Sequence, residues 1–190
     1  MESKILKMSR KEFAMQCALG TIDMETLYRL SSSSNTPARI LDMITDNLTT
    51  LSRLKGGFLL NTIGCSIAEN PNSTPKILRK LSNTSSVYNY IEYSLATHPN
   101  TPSDLLKRLS ESRDSDVRKM VAMHLNASHH TLYVLSYDKD DYVRAEVARN
   151  PCTGVSILKT LIEHDPIYSN RDAAQYQLEI LKRAEEKRKN

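Results

Sequence analysis

Asp140-Asp141-Tyr142-Val143-Arg144-Ala145-Glu146-Val147-Ala148-Arg149-Asn150-Pro151-Cys152-Thr153 is the stretch whose reading decides the fold. Its apolar residues, Val143, Val147 and Ala148, stand at i, i+4 and i+5, one narrow stripe of a helix. Asn150-Pro151 then stops the helix, because a residue before proline is pushed out of the α region. The same frame stands at Val117 to Ala122, at Ile91 to Ala96 and at Ile63 to Ala68, with alanines 28, 26 and 26 residues apart. Two residues past each alanine comes Asn70, His98, His124 or Asn150, and thirteen past it a leucine: Leu81, Leu109, Leu135 and Leu161. A fixed period in this range marks units that cannot bury their apolar faces alone and so must stack.

Each unit reads helix, turn, helix. Thr101 before Pro102 and Ser73/Thr74 before Pro75 are expected to cap the second helix, with the proline at its first position. Ser128 and Thr153 stand at the matching caps without a proline. The fold expected is all-α: a right-handed α-solenoid of stacked short helix pairs, 26–28 residues per repeat, closed by a C-terminal capping helix. One domain over 1–190 is expected, with degenerate repeats in 1–57, regular repeats in 58–165 and a capping helix with a basic tail in 166–190. In the first part, Phe13 to Ala18 looks like a worn copy of the frame, and Asp23 is an N-cap. Thr36-Pro37 opens a helix through Ile40, Leu41 and Ile44. The register is irregular from Asp46, with Gly56-Gly57 as the hinge candidate. In the tail, Ala173, Gln177, Ile180, Leu181 and Ala184 are expected along one side, with Glu179–Arg183 and Glu185–Lys189 as i,i+4 pairs.

The pattern Asp-x-x-Val-Arg-x-x-Val-Ala-x-Asn-Pro-x-Thr, complete in 140–153 and partial in 114–127, resembles the leucine-rich repeat variant family and, more loosely, HEAT-type repeats. The resemblance implies a superhelix of short helix pairs and a binding role. Some members of that variant family carry a cysteine-rich iron–sulfur segment ahead of the repeats. Cys17, Cys65 and Cys152 have no such spacing, so no cofactor and no metal site is expected.

The formal charge of +4 is concentrated: Lys182 to Asn190 hold five Lys/Arg against two Glu, +3 of the total. The body is therefore close to neutral, which speaks against a phosphate-tracking channel. No apolar run reaches the roughly 18 residues of a membrane span and no signal segment follows Met1, so a cytoplasmic protein without membrane attachment is expected.

No nucleophile elbow, phosphate loop, HExxH or dinucleotide fingerprint is present, and no catalytic residue is assigned. His98 and His124 occupy the Asn slot and are expected to complete turns; His129-His130 has no ligand partner at useful spacing. Arg118 and Arg144 recur at one slot beside acids, which leaves two uses open: an Asp–Arg ladder between repeats, or a basic binding stripe. Tyrosines at Tyr88, Tyr90, Tyr93, Tyr133, Tyr137 and Tyr142 are expected to fill spaces between repeats, with Tyr93 also a candidate interface anchor. The partner-binding set is Tyr93, Lys119, Met123 and Arg149 on one inner row, with Arg118 and Arg144. The function expected is a non-enzymatic scaffold presenting a concave face to a protein or peptide. The alternative is a nucleic-acid binder using Arg118, Lys119, Arg144, Arg149, Lys107 and Arg108. It would be similar in general shape to the helical-repeat alkylpurine DNA glycosylases, though no motif of theirs maps here.

Overall fold

The computed structural model describes residues 1–55, 57–84 and 91–189. Every regular element among the described residues is an α-helix, and none is long and apolar enough to cross a membrane. The chain divides into two compact units, Met1–Thr101 and Pro102–Asn190.

The first unit holds α1 (Glu2–Ile5), α2 (Arg10–Ala18), α3 (Met24–Ser32), α4 (Ala38–Lys55), α5 (Gly57–Glu69), α6 (Pro75–Thr84) and α7 (Ile91–Thr97). Helices α3, α5 and α7 pack side by side in that order, and α2, α4 and α6 do the same. Between α5 and α7 the approach is close: a Cβ added at Gly64 would stand 2.6 Å from Ile91 Cδ1. The α2–α4–α6 row is tied by charge. Asp42 and Asp46 on α4 each accept from Arg10 of α2 and Lys80 of α6, and Lys76 adds a longer contact to Asp42.

This packing corrects the reading of the N-terminal repeats. Phe13 and Cys17 are buried, but Ala18 is exposed at the end of α2, and α2 lies in the row of α4 and α6. The counterpart of the alanine-bearing helices is α3, where buried Ser31 holds the alanine slot. Asn70 Nδ2 donates to Ser31 O at 2.8 Å and Ser33 O at 2.9 Å. Asn150 treats Ala122 O and His124 O in the same way, at 2.6 and 3.2 Å. Nor does the register fail at Asp46: α4 runs unbroken to Lys55, with Leu48 and Leu51 buried on the stripe of Ile40, Leu41 and Ile44. Of the hinge pair, Gly57 begins α5 and Gly56 lies outside the described residues.

The second unit holds α8 (Ser103–Leu109), α9 (Ser115–Met123), α10 (His129–Leu135), α11 (Asp141–Arg149), α12 (Val155–His164) and α13 (Tyr168–Lys189). Helix α11 packs between α9 and α13, while α10 lies against α9 and α11, and α12 against α13. Val117, Val121, Ala122, Val143, Val147 and Ala148 are all buried as the stripe requires. Each buried valine contributes about 1.5–3 kcal/mol, and alanine lets the neighbouring helix come close. Ala174 of α13 stands 26 residues past Ala148 and is buried like it. The buried side of α13 is thus Asn170, Ala174, Gln177 and Leu178; of the expected stripe Gln177 is buried, Ala173 and Leu181 are half-buried, and Ile180 and Ala184 are exposed. Glu179 and Arg183 pair at 3.9 Å, whereas the side chain of Lys189 lies outside the described ones.

The turns recur, with one correction. Thr101 Oγ1 does not cap the following helix; it donates to Leu95 O at 2.6 Å. Ser73 Oγ and Thr153 Oγ1 likewise donate to Ile67 O at 2.5 Å and Val147 O at 2.6 Å. Each hydroxyl reaches six residues back to a carbonyl in the last turn of the preceding helix, where Ile67 O and Val147 O also accept the backbone N–H of Asn70 and Asn150. The N-caps are the next residues: Pro102, Ser128 and Gly154, of which Ser128 alone among these three accepts from the helix, at Thr131 N. Pro75 does open α6 as expected, with Thr74 Oγ1 accepting from Ile77 N at 3.4 Å. Asp23 caps α3 through Thr26 N at 2.7 Å.

The Asn/His slot completes turns as the sequence implies. His98 Nδ1 accepts from Asn100 N and His124 Nδ1 from Asn126 N, both at 3.0 Å. In the asparagine version Asn150 Oδ1 accepts from Cys152 N at 2.8 Å.

Candidate functional site

The six sequence-chosen residues fall into three groups. Arg118 and Arg144 are interior groups. Arg118 Nε and Nη2 hold the two carboxylate oxygens of Asp138 at 2.7 and 2.9 Å, and Arg144 Nε reaches Asp165 at 2.8 Å. The side chains are 8% and 11% exposed for the arginines and 8% and 0% for the acids. Of the two readings left open by the sequence, these pairs form the Asp–Arg ladder, with both guanidiniums engaged by buried carboxylates. Engaging a partner would strip each guanidinium from a buried carboxylate. Burial opposes charge on Asp138 and Asp165, yet the arginine hydrogen bonds, the backbone N–H of Asp140 or Ile167 and the arginine charge together hold both carboxyls below their ordinary range. The bond to its acid raises each guanidinium in turn, against the cost of burial.

Lys119, Met123 and Arg149 share the neighbouring helices α9 and α11. Met123 is 49% exposed. Neither cation offers an uncompensated charge: Lys119 pairs with Asp116 at 2.6 Å and Arg149 with Glu146 at 3.1 Å, each one turn back on its own helix. Arg149 also borders an open groove of about 480 Å³ with Ser169, Asp172, Ala173, Tyr176 and Gln177 of α13. Tyr176 is 67% exposed there. Sequence reasoning missed this wall, although a signal existed: Ala174 continues the 26-residue series one helix further than it was followed.

Tyr93 belongs to the first unit, half-exposed on α7. The described tyrosines of that set do not fill spaces between helices: Tyr133, Tyr137 and Tyr142 are exposed as well, the first two edge to face at 5.4 Å. Tyr88 and Tyr90 lie outside the described residues. Lys107 and Arg108, from the nucleic-acid set, are exposed on α8. The alternative set is therefore dispersed: two members are buried in ion pairs, two are neutralised one turn away, and two are exposed on a separate helix.

His129 and His130 are exposed at the start of α10. Among the described residues no three His, Cys, Asp or Glu side chains gather at metal-binding distance. Burial pushes the Cys17 thiol up to about 11, the direction of an inert core thiol rather than a nucleophile. In comparisons with protein-family models, with curated proteins and with solved structures, the chain matches none of them.

Proposed function

We propose that this chain is a non-enzymatic protein-interaction module, a helical-repeat solenoid similar to the leucine-rich repeat variant and HEAT types. In this reading the surface of α9, α11 and α13 is the concave face that receives a polypeptide. The observation that carries it is the character of that surface. An exposed methionine and an exposed tyrosine, Met123 and Tyr176, stand among charges that already cancel: Lys119 with Asp116, Arg149 with Glu146. Adaptable thioether and amphipathic ring area suit a peptide side-chain contact. Phosphate tracking requires an excess of unpaired cations, whereas Lys119 and Arg149 beside these two anchors each have an acid one turn away.

The test is selection of peptides from a random displayed library against the full chain, followed by titration of the winners. Met123→Ala with Tyr176→Ala is expected to weaken them at least tenfold, as befits loss of two anchors, with an unchanged melting temperature. Winners that bind the double variant equally would move the working surface elsewhere. Tight retention of duplex DNA with a steep salt dependence would favour the nucleic-acid reading instead.

A further inference from the structure

Three arginines of the second unit are held by one device. Arg118 Nη1 donates to the carbonyls six and five residues back, Ser112 O at 2.9 Å and Arg113 O at 3.3 Å. Arg144 Nη1 donates to Asp138 O, also six back, at 2.7 Å. Arg171 Nη1 donates to Asp165 O at 2.7 Å and Pro166 O at 3.2 Å, again six and five back. By the alanine frame the third position should be 170, where Asn170 stands. The acid before α13 comes 27 residues after Asp138 rather than 26, so the guanidinium returns to the same carbonyl register one position later.

In the first two rungs the remaining edge of the fork, Nε and Nη2, grips a carboxylate: Asp138 for Arg118, and Asp165 for Arg144. In the third rung no carboxylate among the described residues pairs with Arg171. In the earlier rungs the chain turns before its acid, whereas after Arg171 α13 is helix as far as Lys189. The guanidinium carbon instead lies 5.6 Å from the ring centroid of Tyr168, which is 72% exposed. One half of the fork is anchored, a ring flanks it, and the carboxylate-binding edge has no acid.

We infer that Arg171 with Tyr168 is a docking site for the carboxylate side chain of an acidic turn on another polypeptide. Both internal ligands specify a turn. Asp138 Oδ1 also accepts from Asp140 N at 2.9 Å, and Asp165 Oδ1 from Ile167 N at 2.8 Å. An aspartate folded this way presents its oxygens to the fork already oriented, which an inorganic anion does not reproduce. The exposed carboxylate of Asp172, next in sequence, further disfavours a doubly charged phosphate.

The probe is a capped peptide of residues His164 to Ser169, which carries the single carboxylate of Asp165. It is titrated into the isotope-labelled full chain while the Arg171 Nε–H resonance is followed. A saturable shift is expected, weakened at least about tenfold when the peptide carries Asp165→Asn, the loss of a charge-assisted pair. In the full chain Arg171→Lys, which keeps the charge and loses the fork, should weaken the wild-type peptide similarly with the melting temperature retained. Equal shifts with the Asp and Asn peptides, no shift at millimolar peptide, or an equal shift with inorganic phosphate would each overturn the assignment. The peptide contrast is read on the unaltered chain, so it stands apart from the outcome at the Tyr176 groove.

Discussion

Arg118 clamps both carboxylate oxygens of Asp138, twenty residues downstream, through Nε and Nη2. The pair joins α9 to the turn that precedes α11, and Asp138 O then accepts from Arg144, so the acid serves two successive arginines. Its worth lies in placement more than in Coulomb energy, since two buried charges roughly repay their own desolvation.

Removing one partner is a different matter. Asp138→Ala leaves the Arg118 guanidinium buried without its acid and should cost about 3–5 kcal/mol in urea unfolding. Replacing both residues with apolar ones of similar volume should restore much of that loss. A single Asp138→Ala variant as stable as the parent would remove the ladder from any structural account.

The acid limb of stability follows from the same carboxyls and from Asp42. Burial opposes charge on Asp42, but the hydrogen bonds and positive charges of Lys80 and Arg10 together outweigh it and bring the carboxyl down to about 2. A folded value below the unfolded one, about 3.9, means stability that is complete above the unfolded value and lost as pH falls through the folded one. The melting temperature should therefore drop between about pH 4 and pH 2. Asp42→Asn should flatten that fall while lowering stability at neutral pH. An unchanged acid slope in the variant would show that Asp42 does not carry it.

Asn150 makes three hydrogen bonds from a buried side chain, two as donor to Ala122 O and His124 O and one as acceptor from Cys152 N. Asn150→Ala leaves these groups short of partners and should cost about 2–3 kcal/mol. Asn150→Asp should cost more at neutral pH, because an ionised oxygen then faces two carbonyl oxygens. Thermal melts of the two variants, ranked against each other, check the prediction; a more stable Asp variant would mean the amide does not face those carbonyls.

What the sequence by itself determined is the class of the chain and the phase of its most regular helices. Val143, Val147 and Ala148 had to be buried because a helical stripe that narrow permits one side, and Asn150-Pro151 had to end the helix. Composition also made the body near neutral. Longer reach was a matter for the tertiary structure. Ser31 replaces the alanine that marks the frame, so α3 was passed over in favour of α2, whose Phe13 and Cys17 mimic the spacing but pack in the other row. In α13 the buried Ala174 keeps the 26-residue series from Ala148 and sets the dry side of the helix, and Thr101 Oγ1 turns back to Leu95 O instead of capping the helix ahead. The fate of Arg118 and Arg144 depended on acids 20 and 21 residues away, beyond any helical period. A periodicity reports which side of a helix is dry, whereas the burial of a cation is decided by what the next turn of chain brings against it.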